Sequence, residues 1–134
     1  MSQFLRNATC LGVTSLLVAI AGCAESIDKP LLVPATGKVV FQGQPVTAGM
    51  IYFFPDRDAE YQKDNPSSLL QLDGSFTMKT FPFGDGVSPG KYRVVLSREL
   101  SSRLKVPDYA VPTQTPWEVE IPDSGKSDII LDVK

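Results

Sequence analysis

From Thr36 to Val133 the chain is a series of short runs rich in Val, Ile, Phe, Tyr and Thr, separated by Gly, Pro, Asp and Ser. Runs of this length and composition are typical of β-strands, whereas a helix would need helical periodicity over roughly ten residues. Only Arg98–Lys105 is suited to a helical turn, which Pro107 would end. The sequence therefore predicts an all-β fold, an antiparallel β-sandwich of about seven strands.

Alternation within these runs predicts which side chains face the core. Both faces of Ala48–Phe54 are apolar, which is typical of a central strand. Asp73-Gly74 is a strong hairpin signal between the predicted strands Ser68–Leu72 and Ser75–Thr80. The other side chains predicted to point inward are Phe76, Met78, Tyr92, Val94, Leu96, Trp117, Val119, Ile121, Ile129, Leu131 and Val133.

The amino-terminal residues have the pattern of a bacterial lipoprotein signal. Arg6 precedes an apolar run that is shorter than the roughly 20 residues of a spanning helix. The run ends in the lipobox-like segment Leu17–Cys23, in which the small residues Ala21 and Gly22 allow a peptidase to approach the next bond. Resemblance to bacterial lipoproteins implies cleavage between Gly22 and Cys23 and a lipid on the Cys23 thiol. An ordinary secretory signal with a chance cysteine is the alternative.

This reading divides the chain into three parts. Residues 1–22 are the predicted signal peptide, residues 23–35 a lipid-anchored tether, and residues 36–134 the β-sandwich. The protein is then expected in the cell envelope, attached to a membrane through Cys23. Ala24, rather than aspartate, follows that cysteine. Resemblance to Gram-negative lipoprotein sorting implies the outer membrane.

Composition excludes several classes of function. The 134-residue chain contains no histidine and two cysteines, of which Cys10 lies in the predicted signal and Cys23 carries the predicted lipid. Histidine-dependent triads and the commonest zinc ligand are therefore absent. No spacing pairs a nucleophile with a base, and we expect no enzymatic activity, cofactor or metal. With a net charge of −2 and no basic run, we expect no nucleic acid partner.

Four segments carry a family resemblance. They are Thr36–Val46, Ala48–Phe53, Asp73–Phe76 and Pro89–Val94. In this order they resemble the carboxypeptidase-regulatory-like domains of small envelope lipoproteins of the planctomycete type. Those domains are transthyretin-like or immunoglobulin-like sandwiches. The resemblance covers residues 36–134 and implies a non-catalytic accessory or adhesion module, with no ligand specified.

The segment 81–90 is the main candidate binding surface. Phe81, Phe83 and Asp85 lie beside glycines, so the two rings could stack on a sugar whose hydroxyls bond the carboxylate. The same residues could form a protein-contact patch. Alternatively, the two phenylalanines pack beneath the loop as a minor core. Protein–protein contact is the leading hypothesis for function, and carbohydrate binding through this loop is its rival.

Three further segments suggest binding. Tyr109 and Trp117 flank a proline-rich stretch and could recognise an extended peptide, or they pack that stretch onto the sandwich. The acidic loop 56–64 could offer oxygens to calcium, although Arg57 and Lys63 interrupt it. The apolar run 31–33 could receive a partner strand if it does not cover an edge of the sandwich.

Overall fold

Two β-sheets pack face to face in the computed structural model, which describes residues 29–56 and 65–134. The strands in chain order are β1 (Ala35–Phe41), β2 (Gln44–Pro45), β3 (Met50–Pro55), β4 (Ser67–Leu69), β5 (Ser75–Thr77), β6 (Lys79–Thr80), β7 (Gly84–Asp85), β8 (Gly90–Leu96), β9 (Glu118–Ile121) and β10 (Lys126–Val133). Between β8 and β9 lie helix α1 (Arg98–Leu104) and a 3₁₀ helix (Pro107–Ala110). The predicted all-β sandwich is confirmed.

Sheet topology places the first strand in the middle of its sheet. In the first sheet β10 pairs with one side of β1, while β2 and β5 pair with the other side. The second sheet has the order β7-β6-β4-β3-β8-β9, so β3 is central, as predicted from its two apolar faces. The strand pairs of the described residues are antiparallel apart from β1 with β10, which is parallel. Sequence alternation did not indicate this pair, because it reports faces and not neighbours.

The predicted inward side chains form the core. Apart from the half-buried Trp117, all of them are buried. Phe53 of the second sheet contacts Phe76 of the first edge-to-face, with 6.4 Å between ring centroids. Phe53 also contacts Tyr92, with 5.5 Å between the ring centroids. The Tyr92 hydroxyl donates to the Ser88 carbonyl, an arrangement like the tyrosine corner of β-sandwiches.

The hairpin predicted around Asp73-Gly74 is wrong in its strand pairing. The turn itself is present, because the Gln71 N–H donates to the Ser75 carbonyl at 2.9 Å. Beyond the turn, however, β4 pairs with β3 in one sheet and β5 pairs with β1 in the other. Leu70, which follows β4, and Phe76 of β5 are buried in the same core, so the alternation that suggested a hairpin is equally satisfied by a crossover.

The helical turn predicted near Arg98 is confirmed as α1. The Ser97 hydroxyl accepts a hydrogen bond from the Leu100 N–H at its start, and Lys105 in the left-handed conformation ends it. The Arg103 guanidinium donates to the carbonyls of Thr47 and Ala48. These bonds attach the helix to the connection between β2 and β3.

The described chain begins within the predicted tether. Val33 exchanges two backbone hydrogen bonds with Val87, at 2.8 and 2.9 Å, and Ala35 already belongs to β1. The run 31–33 is therefore attached to the sandwich rather than left as a free strand. The signal peptide, Gly22, Cys23 and the first part of the tether lie outside the described residues. Among the helices of the described part, none is long and apolar enough to cross a membrane.

The pairing of β1 with β10 depends on Gly37. An added Cβ at Gly37 would lie 2.1 Å from the Ile129 carbonyl oxygen and 2.7 Å from the Phe76 ring. Near this point the register shifts, because Ala35 pairs with Lys126 and Gly37 with Ile129. The extra residue of β10 is accommodated in a bulge that contains Asp128 at a positive φ of 59°. A side chain at position 37 would force the two strands apart.

We expect Gly37→Ala to lower the free energy of unfolding by about 1–3 kcal/mol, the usual cost of overpacking a core. Gly43→Asn is the matched control, because Gly43 has a φ of 76° with no atom within 4 Å of an added Cβ, and asparagine tolerates that conformation. The control should stay within about 0.5 kcal/mol of the wild type. Urea denaturation measures both. Equal losses in the two variants would show that the close approach at Gly37 is unimportant.

Candidate functional site

Tyr109 and Trp117 contact each other and the sandwich. Their rings meet edge-to-face, with 4.7 Å between centroids, and Tyr109 is only 8% exposed. The Tyr109 hydroxyl accepts a hydrogen bond from the Lys134 N–H, which holds the end of β10. The Thr115 hydroxyl donates to the Val94 carbonyl at 2.6 Å and so fixes the proline-rich stretch on β8. The structure thus places this pair as packing for the stretch between them.

The two phenylalanines of the 81–90 segment differ in exposure. Phe81 is 83% exposed, so it does not pack beneath the loop. Phe83 is half-buried, and its N–H donates to the Thr80 carbonyl at 2.8 Å, which closes the turn between β6 and β7. Asp85 is exposed and forms an ion pair with Lys79 across those strands at 3.6 Å. Of the predicted surface, Phe81 and Asp85 are therefore the groups best placed to meet a ligand.

Phe81 and Asp85 line a groove of about 700 Å³ beside β4. Its other lining residues are Met50, Ser67, Ser68, Leu69, Gln71, Thr77, Lys79, Thr80, Pro82 and Gly84. Within the second sheet, β4 pairs with β6 through Ser67 and Lys79 alone. The groove lies where β4 separates from Thr77 of the first sheet, and both line it. The Ser68 hydroxyl bridges this separation, accepting from the Thr77 N–H and donating to the Leu69 carbonyl. The backbone of the groove wall is thereby kept hydrogen-bonded.

Exposed apolar side chains mark the length of this groove. Leu69 is 68% exposed within it. Gln71 also lines the adjoining depression of about 490 Å³, which contains Leu72 at 91% exposure. We call the surface formed by Leu69, Leu72 and Phe81 the apolar groove. Its members are the three most exposed large apolar side chains of the described residues. Large apolar groups gathered in this way are typical of interaction surfaces.

Charges lie at the rim of the apolar groove. Both partners of the Lys79–Asp85 ion pair are largely exposed, so the pair adds little to stability and leaves both groups accessible to a partner. At the other end, the side-chain hydroxyl and backbone N–H of Ser75 hold the pKa of Asp73 below its ordinary value. Asp73 therefore carries a negative charge at neutral pH. The rim is polar and the groove apolar, which is the usual anatomy of a protein interface.

Sequence reasoning missed Leu69 and Leu72. The run Ser68–Leu72 was predicted as a strand, and in a strand Leu69 must point away from the face that Leu70 occupies. Leu70 is buried, so Leu69 is left exposed. Alternation gave no signal for Leu72, because it places that residue on the same face as Leu70. For Leu69, an apolar residue at a position that alternation assigns to solvent was the available signal. Ile130, between the buried Ile129 and Leu131, carries the same signal.

Buried hydroxyl groups in the described residues bond mainly to backbone. Thr80, Ser101 and Thr115 each donate to a carbonyl, of Gly86, Val106 and Val94 respectively. These bonds stabilise turns and crossovers and do not activate a nucleophile. Across residues 29–56 and 65–134 there is also no group of three or more acidic, histidine or cysteine side chains that could hold a metal. Most of the predicted calcium loop, residues 57–64, lies outside the described residues.

Comparisons with known proteins add one structural likeness. No protein-family model matches the chain, and no curated protein matches it. The chain is similar to a crystal structure of a DUF3823 family protein from Parabacteroides merdae, with 17% sequence identity and a TM-score of 0.48. The match covers 78% of this chain and 46% of that one, so this chain spans less than half of its length. The resemblance to carboxypeptidase-regulatory-like domains stays a prediction.

The packing role of Tyr109 predicts a graded response to substitution. Tyr109→Phe removes only the hydrogen bond from Lys134 and should cost about 1 kcal/mol of unfolding free energy. Tyr109→Ala also removes the contact with Trp117 and should cost about 3–5 kcal/mol. Thermal unfolding followed by Trp117 fluorescence measures both. If Tyr109→Ala were as stable as the wild type, the ring would not hold the proline-rich stretch in place.

Proposed function

We propose that this chain is a lipid-anchored, non-catalytic module of the bacterial cell envelope that binds protein partners through the apolar groove. The observation that carries the proposal is the exposure of Leu69, Leu72 and Phe81 along two adjoining depressions, which share Gln71. Burying three such side chains on a partner lowers the free energy of the complex by roughly 25 cal/mol for each Å² of apolar area removed from water. The polar rim then contributes specificity.

The position of the tether supports this role. The chain joins the sandwich at Val33, just before the start of β1. The turn that carries Leu72 lies towards the other end of that strand, where the Val39 N–H donates to the Gly74 carbonyl. A lipid on Cys23 would thus hold one end of the sandwich near the membrane and direct the Leu72 end of the groove away from it. The ten residues from Cys23 to Val33 reach at most roughly 35 Å.

Anchoring also changes the affinity that the groove needs. A domain restricted to a layer about 35 Å deep meets its membrane neighbours at a high effective concentration. Weak contacts through a few apolar side chains are then sufficient for association. Outer-membrane attachment through Cys23 is the location that suits this proposal best.

Carbohydrate binding is the second candidate, and the exposed Phe81 ring favours it. The ring is accessible for stacking on a sugar, and the Asp85 carboxylate and Lys79 ammonium nearby can bond hydroxyl groups. A single open ring offers less contact area than the whole apolar groove. Protein contact therefore remains the leading proposal.

Photo-crosslinking in living cells tests the proposal. A photoreactive amino acid placed at Leu69 or Phe81 should yield a discrete protein adduct, identified by mass spectrometry. The same probe at Thr113, which is exposed on the proline-rich stretch, is the control and should yield no such adduct. With the probe kept at Leu69, adding Phe81→Ser should reduce the adduct by about tenfold, since it removes a large exposed apolar contact.

The outcomes separate the two candidates. Phe81→Ser should leave the unfolding midpoint nearly unchanged, because Phe81 is 83% exposed. A lost adduct then reports lost contact and not lost folding. If neither Leu69 nor Phe81 yields a protein adduct, the protein-binding proposal is contradicted. Binding to a glycan array that Phe81→Ser abolishes would instead support carbohydrate recognition.

A further inference from the structure

The outer edge of β10 exposes backbone groups that are able to pair with another strand. On β1, the Val39 N–H donates to the Gly74 carbonyl and the Val39 carbonyl accepts from the Val46 N–H. The backbone N–H and C=O groups of Val39 therefore point away from β10. Leu131 lies opposite Val39, and in a parallel pair only one of two opposite residues directs its backbone N–H and C=O groups at the other strand. The backbone groups of Leu131 therefore point towards β1. Because successive residues of a strand direct their backbone groups to opposite sides, the N–H and C=O groups of Ile130 and Asp132 point outward. Within the described residues β10 ends its sheet, so no strand pairs with these groups.

The side chains along this edge alternate between acidic and apolar. Ile130 is 63% exposed, between the exposed carboxylates of Asp128 and Asp132. On the neighbouring strand Asp132 lies beside Val40, and Ile130 lies beside Lys38. In the described part of the chain neither carboxylate forms an ion pair. An exposed isoleucine with an unpaired acid two residues to each side is a specific pattern, which a complementary strand can match.

A second copy of the chain fits this edge poorly. In an antiparallel pair that places Ile130 opposite its own copy, Asp128 would face Asp132 and Lys126 would face Lys134. Like charges directly opposite each other in a sheet are destabilising. The bulge at Asp128 further distorts the edge against regular self-pairing. In the register that places the two isoleucines together, the charge pattern therefore disfavours a second copy and favours a partner strand of a different composition.

We propose that the outer edge of β10 is a strand-addition site for an extended segment that carries an apolar residue with lysine or arginine two positions to either side. The segment pairs its backbone with Ile130 and Asp132, packs its apolar side chain on Ile130, and places its cations opposite Asp128 and Asp132. This site belongs to the first sheet. It is separate from the apolar groove, which lies beside β4 of the second sheet.

Synthetic peptides test the site on the full-length chain in detergent. The probe is the acetylated and amidated heptapeptide Thr-Lys-Thr-Val-Thr-Lys-Thr, and the comparison peptide carries glutamate in place of both lysines. Amide NMR shifts should identify binding at Ile130 and Asp132, with at least roughly tenfold tighter binding of the lysine peptide. An N-methyl group on the central valine should abolish binding, because strand addition requires its N–H to donate to the Ile130 carbonyl.

Two variants complete the test. Asp128→Asn with Asp132→Lys should reverse the preference towards the glutamate peptide, since asparagine tolerates the positive φ at position 128 and the Asp132 side chain is exposed. Leu69→Ser with Phe81→Ser should leave peptide binding unchanged, which separates this site from the groove. Equal binding of both peptides, or shifts confined to other residues, would overturn the proposal. Dimerisation through β10 without peptide would also overturn it, by showing that a second copy occupies the edge.

Discussion

The parallel pairing of β1 with β10 is the contact on which the rest of this structure depends. It joins the first strand of the domain to the last and leaves β1 as the centre of its sheet, with β2 and β5 on the other side. The approach is close enough that a Cβ at Gly37 would overlap the Ile129 carbonyl oxygen. Because β1 also follows the predicted tether, the same pairing fixes the amino-terminal end of the sandwich within the core. Val33 therefore leads into a central strand and not into an edge.

Sequence reasoning succeeded where the physics is local. Alternation identified the inward side chains of β5, β8 and β10, because a strand that covers a core must bury every second residue. It failed where several arrangements satisfy the same alternation. The Asp73-Gly74 turn joins two segments that bury Leu70 and Phe76 in one core, and nothing local decides whether the segments pair or separate. Strands of two residues, such as β6 and β7, are too short to show a period at all.

The candidate surfaces follow from departures from that alternation. Leu69 and Ile130 are apolar at positions that their strands direct to solvent, and both are exposed. An exposed leucine or isoleucine gains nothing for folding, so such positions are where binding surfaces are to be sought. The aromatic residues singled out by type behave differently. Tyr109 packs inside the protein, whereas Phe81 is open, and residue type alone did not distinguish them.

The apolar groove and the β10 edge lie on different sheets of the sandwich. Neither needs catalytic chemistry, and the buried hydroxyls bonded to carbonyls have structural roles. With the proposed tether, two such surfaces would suit the domain to holding neighbours together in a layer, because each weak contact raises the effective concentration for the next. The central claim is therefore structural: β10 pairs with β1 on one side, and on its other side the backbone groups of Ile130 and Asp132 have no strand partner among the described residues.

Amide hydrogen exchange along β10 tests this claim most directly. If β10 pairs with β1 alone, the amides of Leu131 and Val133 should exchange slowly, and those of Ile130 and Asp132 should exchange quickly. This two-residue alternation should persist at every protein concentration. Uniformly slow exchange along β10 would show that something covers the outer edge. Uniformly fast exchange would show that the pairing of the first and last strands does not hold the domain together.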